Sequence, residues 1–188
     1  MRKHIFIVGL SVFCLVFTQM IFAESAAELA AESEAYCVST RKESPTSPDL
    51  IVSKVAEACK LLQKEGTPAF IKFKGKGSPF IFDGTYMWIH SIKESTMLQH
   101  PIKYKMEGKN LVGLKDTKGK RLFVVMTRVV REKGAGWVDY MWPIPGTKDS
   151  MRKITYVKGC TTADGVEVLI GCGIYNYKKE DLDKLDIN

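Results

Sequence analysis

The sequence predicts an α+β fold in which N-terminal helices pack on an antiparallel sheet. Helical patterns are collected before residue 66 and again at 121–134, whereas short strand-like runs follow one another in two blocks, at 67–110 and 136–175. Short connections that contain Gly, Pro or Asp join these runs and suit antiparallel hairpins. Consecutive blocks of helices and strands, in place of a strict alternation, are typical of α+β domains.

The first 23 residues have the layout of a secretory signal peptide. Arg2 and Lys3 precede an apolar run from Ile5 to Phe22, and the small residue Ala23 stands before the polar ESAAELAAESE. The run is roughly 18 residues long, at the lower limit for crossing a bilayer, so an uncleaved anchor is the alternative. Both interpretations place the rest of the chain outside the cytoplasm, in the periplasm or secreted.

The chain is basic, with 28 Lys and Arg against 21 Asp and Glu. Residues 1–23 hold two basic and no acidic residues, so the chain without them has a net charge of +5. Such a surplus suits nucleic acid, anionic lipid headgroups or small anions. Export argues against nucleic acid.

Three helices are predicted. The first covers 25–37, which is rich in Ala and Glu, and a polar connector follows at 41–49. The second begins at Ser47-Pro48, with the serine as N-cap, and ends at Gly66. Its apolar positions 51, 55, 58, 59 and 62 lie on one helical face. The third helix covers 121–134, with apolar positions 122, 125, 126 and 129 and Gly134 at its end.

Strands are predicted at both ends of the domain. Apolar runs between residues 67 and 110 (AFIKF, PFIF, YMWIHSI and TMLQHPI) indicate strands and loops, and GWVDYMWP, RKITYVKG and VEVLIGCGIY form the C-terminal strands. We therefore expect an N-terminal helix and connector at 24–48, one domain at 49–177 and a charged tail at 178–188.

The cysteines predict disulfides, because an even number is left in an oxidising compartment once residue 14 is removed. The remaining four are Cys37, Cys59, Cys160 and Cys172. A hairpin turning near Asp164-Gly165 places Cys160 opposite a residue near 168, so a Cys160–Cys172 bridge does not fit that turn. Four cysteines allow three full connectivities, and the single pair that we favour is Cys37–Cys59, which would close the loop between the first two helices.

No pattern in the sequence predicts catalysis, a metal or a cofactor. His90 and His100 are the histidines beyond residue 23, and neither belongs to an HxH or HExxH motif. GxSxG and CxxC motifs are absent from the sequence as well. The expectation is a protein that is not an enzyme.

Aromatic and polar residues gather on the predicted strands and suggest a binding site. They are Tyr86, Trp88, His100, Trp137, Tyr140, Trp142, Lys153 and Tyr156. Aromatic walls with a few polar groups are typical of small-molecule pockets, and a lysine with tyrosine hydroxyls favours an anion, most simply a carboxylate. Strand alternation puts Trp137 on the face opposite Tyr140 and Trp142, and separates Lys153 from Tyr156, so the eight residues do not line one cavity.

The order of motifs from about Asp49 to Tyr175 resembles the single-Cache (sCache, Cache_2-type) extracellular sensor domain. The motifs are LIVSKVAEACKLLQKEG, FDGTYMWIHSI, the HP of MLQHP, MEGKNLVGLKDTKGKRL, GAGWVDYMWP, KITYVKG and GCGIY. The resemblance implies a PAS-like fold, with a long N-terminal helix and a five- to six-stranded antiparallel sheet that carries a ligand pocket on one face. Family members often belong to chemoreceptors and sensor kinases and bind carboxylates such as acetate, propionate, lactate or pyruvate. This sequence differs in having no second apolar span after GCGIY, and we expect a standalone, exported form of the domain.

The resemblance assigns six residues of this chain to the pocket: Tyr86, Trp88, His100, Tyr140, Trp142 and Lys153. Trp137 and Tyr156 match the motifs as either ligand-binding or structural residues, and Asp116 matches as a turn-former. Two hypotheses about function follow. The first is an exported module that binds a small organic anion and relays its presence to a membrane receptor or sensor kinase. The alternative is a structural or interaction subunit of an envelope complex that binds no ligand.

Overall fold

The structure is a computed structural model that describes residues 25–44 and 46–188. The predicted signal peptide therefore lies outside the described residues. In chain order the elements are α1 (25–39), α2 (Pro48–Glu65), a 3₁₀ helix (Thr67–Phe73), β1 (Ile81–Phe82), β2 (Thr85–Ser91), β3 (Met97–Gln99), a second 3₁₀ helix (Tyr104–Met106), α3 (Leu122–Lys133), β4 (Ala135–Pro143), β5 (Ser150–Thr161), β6 (Glu167–Ile174) and α4 (Lys179–Leu182).

The strands form one open antiparallel sheet in the order β1-β2-β6-β5-β4, and β3 pairs with β2. The β5–β6 hairpin turns where the sequence predicts, because Cys160 lies opposite Val168 and Tyr156 lies opposite Cys172. The predicted α+β class and the antiparallel sheet are confirmed. Among the described residues no helix is both long enough and apolar enough to span a membrane.

Helix α2 covers one face of the sheet, which we call the α2 face. Ser47 caps the helix by accepting a hydrogen bond from the Leu50 amide at 3.2 Å, and Gly66 ends it with φ +72°. The predicted apolar stripe is buried against side chains of β5 and β6, including Ile154 and Ile170. The sequence pattern of α2 is therefore confirmed at both ends and along its length.

Helix α3 packs on the opposite face, which we call the aromatic face. Two glycines permit the close approach: a Cβ on Gly136 would lie 2.7 Å from Val129, and one on Gly159 would lie 2.8 Å from Val130. Real Cβ atoms do not come so close to a neighbouring carbon, so α3 rests on bare backbone at these positions. This contact places the aromatic residues of β2 and β4 between α3 and the sheet.

The segment at 67–73 differs from the prediction of strand and loop. It is a 3₁₀ helix that follows Gly66 directly and has Pro68 in its first turn. Ala69 and Phe73 are buried in the α2-face cluster, and the Phe73 ring stacks on Phe80 at 4.2 Å between centroids. The apolar run AFIKF thus packs beside the sheet, and its Thr-Pro start favours a helical turn over a strand.

The predicted Cys37–Cys59 disulfide is wrong. Cys59 of α2 is bonded to Cys160 of β5, with 5.9 Å between the Cα atoms. Cys37 and Cys172 are buried free thiols, and the Cys37 Sγ donates to the Thr85 carbonyl at 3.6 Å. The pairing follows from the way α2 crosses the sheet, which brings position 59 over β5, while α1 ends beside the β1–β2 turn.

Candidate functional site

The aromatic face has a gap along its central strand. Gly171 and Gly173 of β6 project no side chains there, and a Cβ on Gly171 would overlap the indole ring of Trp88. A Cβ on Gly173 would overlap the hydroxyl of Thr155, its partner on β5. The GCGIY motif therefore leaves room for rings from β2 to lie across the sheet toward β5.

Lys153 of β5 reaches into this gap. It is fully buried, and its ammonium lies 4.1 Å from the centroid of the Tyr86 ring, 4.9 Å from that of Tyr175 and 5.4 Å from that of Trp88. Ring faces attract cations, so the three aromatic residues partly compensate for the loss of water. Burial lowers the pKa of the Lys153 amine from 10.5 to about 8. The group is still mostly protonated at neutral pH.

Hydrogen bonds fix the surrounding rings. The Trp142 indole N–H donates to the Tyr86 hydroxyl at 2.9 Å, and the hydroxyls of Tyr140 and Thr155 are 3.0 Å apart. Burial raises the pKa of Tyr86 and of Tyr140 above their ordinary value, so both phenols stay neutral. Tyr140 lies directly opposite Lys153 in the β4–β5 register, which builds the ring network around the lysine.

His100 closes the side of the cluster next to β2. Its ring lies 5.1 Å from that of Tyr86, and its Nδ1 accepts hydrogen bonds from the amides of Ile102 and Lys103 at 3.3 and 2.9 Å. Burial, followed by the charges of Lys153 and Lys103, holds the pKa of His100 well below its usual range. The imidazole is therefore neutral and carries its proton on Nε2, because Nδ1 is an acceptor.

Two buried donors of the cluster lack acceptors. Neither the Lys153 ammonium nor the Trp88 indole N–H has a hydrogen-bond partner among the described residues. Buried donors in proteins are nearly always satisfied, and an unpaired one costs free energy. An anion with two oxygen atoms is the simplest species that could accept from both groups.

The structure brings together the six residues predicted to bind ligand. They are Tyr86, Trp88, His100, Tyr140, Trp142 and Lys153, each at least nine-tenths buried. Trp137 and Tyr156 lie apart from them, in the cluster on the α2 face, with their rings 5.2 Å apart. The strand alternation that separates Trp137 from Tyr140 and Trp142 is confirmed.

Asp116 has the predicted turn-forming role. Its carboxylate accepts hydrogen bonds from the Lys118 and Lys120 amides within its own loop, at 2.9 and 2.8 Å. It also accepts from the Met141 amide at 2.9 Å, on the outer edge of β4. Those bonds lower the pKa of the carboxyl, although partial burial opposes them. Asp116 thus joins its loop to the sheet edge.

Sequence reasoning missed several contributors to the site. Tyr175 stands over Lys153, Thr155 holds Tyr140, and Lys103 lies 5.8 Å from the Trp142 ring. Tyr175 was within reach of prediction, because it ends the GCGIY motif two residues beyond Gly173. Lys103 gave no such signal, since it lies in a loop whose position depends on the hydrogen bonds of His100.

A surface groove with a volume of about 560 Å³ runs between α2 and the segment at 76–80. The lysine side chains on its rim are exposed to solvent, and it contains none of the buried unpaired donors of the described residues. The Lys153 cluster therefore remains the candidate ligand site, in a closed arrangement.

Comparisons with known proteins identify the family of the chain. The dCache_2 family model, described as a Cache domain, matches residues 27–184. The methyl-accepting chemotaxis protein McpP of Pseudomonas putida is 32% identical over 73 residues, which are 39% of this chain and 13% of that protein. This chain thus matches only a small part of that relative's length.

Solved structures of sensor domains are similar as well. A Cache chemosensory domain studied for its recognition of carboxylic acids has 25% identity and a TM-score of 0.54, over 69% of this chain and 90% of that chain. The periplasmic sensor domain of a chemotaxis protein is 28% identical, with a TM-score of 0.45, over 84% of this chain and 92% of that chain. Since the family model covers most of the sequence, the chain belongs to the Cache domain family, as the order of its motifs predicts.

Proposed function

We propose that this protein is an exported sensor domain that binds a small organic anion, most simply a short carboxylate, at Lys153. The observation that carries the proposal is the fully buried Lys153 ammonium, which has no acceptor among the described residues. A buried charge without a partner is costly, and an incoming carboxylate would supply the missing charge. The Trp88 indole N–H is positioned in the same cluster to serve a second oxygen.

The rings define what else the site accepts. Tyr86, Tyr140, Trp142 and Tyr175 surround the lysine with apolar surface, and the hydroxyls of the first two are engaged in side-chain hydrogen bonds. A short aliphatic chain fits such walls better than a second charged group does. The similar Cache domain that recognises carboxylic acids supports the same ligand class.

A relay to a membrane partner is the second part of the proposal. Helix α1 contacts the site through Cys37, which packs in the cluster of Tyr86 and Trp88 and donates to the Thr85 carbonyl. A ligand that moves these rings would favour one position of α1 over another, as differential affinity requires. The similarity to a methyl-accepting chemotaxis protein supports a membrane receptor as the partner class, and a sensor rather than an enzyme.

One observation favours a second candidate function. Tyr86, Trp88, His100 and Lys153 are all at most 2% exposed, so the site is closed as it stands. A domain that has filled its pocket with its own side chains would act as a structural or interaction subunit of an envelope complex and bind no ligand.

A thermal-shift screen decides between the two candidates. The domain without residues 1–23 is heated with carboxylates of two to six carbons, amino acids and purines. A ligand at 100 times its dissociation constant stabilises a protein by about 2.7 kcal/mol, a readily measured shift. Lys153→Met should abolish the shift, whereas Lys64→Met, which removes an exposed lysine of α2, should preserve it. No shift across the panel with a folded protein would favour the second candidate.

A further inference from the structure

A small surface cavity lies beside the closed Lys153 site. Its volume is about 120 Å³, well above the roughly 10–15 Å³ that one water molecule needs. It opens between the connector after α1, the β1–β2 turn and the end of β6. Its lining includes Arg41, Lys42, Asp83, Thr85, Met151 and Tyr175.

Tyr175 separates this cavity from the buried lysine. Tyr175 is a lining residue of the cavity, and its ring centroid lies 4.9 Å from the Lys153 ammonium. Its hydroxyl donates a hydrogen bond to the Pro143 carbonyl at 2.8 Å. Rotation of this one side chain would join the surface cavity to the Lys153 cluster.

The cavity carries a net positive charge. Lys42 is paired with Asp83 at 2.7 Å, whereas the Arg41 guanidinium donates to the neutral Pro145 carbonyl at 2.9 Å and has no carboxylate partner among the described residues. Lys153 and Arg41 both act on the buried Cys37 thiol: burial raises its pKa to about 12, and the charges of Lys153 and then Arg41 oppose that rise.

We propose that this cavity is an outer anion-binding site, in which Arg41 receives a small anion before it passes to Lys153, with Tyr175 as the gate between them. The inference rests on the proposed function, in which Lys153 is the inner binding group. A cation at the entrance concentrates anions by its field. The Tyr175 ring is anchored at its hydroxyl, by the Pro143 carbonyl and the Tyr86 hydroxyl, and a side chain held at its tip can open and then close over the ligand.

The test measures how fast small aldehydes reach Lys153. Glyoxylate, an anion, and formaldehyde, which is neutral, each condense with a lysine amine to an imine with loss of water, and cyanoborohydride reduces that imine to a stable amine. The labelling reaction is run at pH 8. Peptide mass spectrometry then measures the carboxymethylation of Lys153 by glyoxylate or its methylation by formaldehyde. Exposed Lys64 in the same sample is the internal reference for reagent reactivity.

Two Tyr175 variants test the gate. Tyr175→Ala should accelerate labelling of Lys153 by both aldehydes about tenfold relative to Lys64, as expected when a gate limits access. Tyr175→Phe keeps the ring and removes the hydroxyl, with its hydrogen bonds to Pro143 and Tyr86, and it should give a smaller acceleration than Tyr175→Ala. Unchanged labelling in both variants would overturn the gate.

Arg41→Gln tests the outer site. It should slow glyoxylate labelling about fivefold, because the attracting charge is lost, and should leave formaldehyde labelling unchanged. Lys103→Gln is the matched variant near the Trp142 ring. If Lys103→Gln slows glyoxylate selectively and Arg41→Gln does not, the anion enters beside Trp142 and the proposal is wrong.

These outcomes are separable from those of the proposed function. If labelling of Lys153 depends on Arg41 and Tyr175 but no carboxylate shifts the melting temperature, the sensing function is contradicted and the outer site is retained. Carboxylate binding with labelling rates insensitive to Arg41 and Tyr175 would contradict the outer site alone.

Discussion

Lys153 dominates the chemistry at the scale of single residues. Burial lowers the pKa of its amine from 10.5 to about 8, so the folded chain holds fewer protons than the unfolded chain between these values. The free energy of unfolding therefore rises with pH across this window, and the full cost of the buried ammonium is present below pH 8. The buried ammonium thus lowers the stability of the ligand-free protein, a cost that the proposed anion binding would offset.

We expect Lys153→Met to stabilise the ligand-free protein at pH 7. The gain is at most roughly 3–4 kcal/mol, since the pKa falls from 10.5 to about 8 and one pKa unit corresponds to about 1.4 kcal/mol, and it should vanish as the pH approaches 10.5. Urea unfolding at a series of pH values measures it, with Lys64→Met as the exposed control. A loss of stability at pH 7 would mean that the ammonium has a favourable partner in the folded chain.

Gly171 leaves the space that the Trp88 ring occupies on the sheet. We expect Gly171→Ala to destabilise the protein by roughly 1–3 kcal/mol, because the added methyl group overlaps the Trp88 ring and overpacks the site. Near-ultraviolet circular dichroism should change as the indole moves. Gly113→Ala is the matched control, since its Cβ would meet nothing within 4 Å. Equal stability of the two variants would show that Trp88 does not depend on the bare backbone of β6.

The elements are held in their arrangement by specific contacts between them. The Cys59–Cys160 disulfide joins α2 to β5 across a sequence separation of 101 residues, and α3 rests on Gly136 and Gly159. On the other face, the end of α1 meets the β1–β2 turn, where the Gly84 amide donates to Thr40 at 3.2 Å. The helices are therefore fixed to the sheet by direct contacts, and a movement of the aromatic cluster would reach α1 through the adjoining β1–β2 turn.

We expect reduction of the disulfide to lower the free energy of unfolding by about 2–5 kcal/mol, because it closes a long loop of the unfolded chain. Urea unfolding with and without dithiothreitol measures the effect. The double variant Cys59→Ala and Cys160→Ala should be insensitive to the reductant, whereas Cys172→Ala should keep the response of the unaltered protein. A response in the first variant but not the second would assign the bridge to other cysteines.

At the scale of the whole molecule, two buried clusters of different composition lie on opposite faces of the sheet. The α2 face holds aliphatic residues and the Trp137–Tyr156 ring pair. Neither the Trp137 indole N–H nor the Tyr156 hydroxyl is a buried donor without a partner. The aromatic face holds the buried lysine and its ring network. One sheet thus supports a conventional core on one side and the candidate ligand site on the other.

A pair of tryptophan variants tests this division. Trp137 and Trp142 are each 8% exposed, so replacing either by Phe removes a similar buried area. Trp142→Phe also removes the hydrogen bond to Tyr86, and we expect it to weaken ligand binding about tenfold, consistent with a lost hydrogen bond of roughly 1 kcal/mol and altered packing. Trp137→Phe should leave affinity unchanged. Calorimetric titration measures both, and equal losses would contradict the division.

Sequence by itself determined helices α1, α2 and α3, the hairpin at Asp164-Gly165 and the face on which each strand residue lies, because helix caps, turn glycines and the two-residue repeat of a strand act over a few neighbours. Alternation alone separated Trp137 from Tyr140 and Trp142. Only the tertiary structure decided the partner of Cys59, the place of Tyr175 over Lys153 and the cavity beside it. Those features depend on how α2 crosses the sheet and where α1 ends, and such long-range packing leaves no local pattern in the chain.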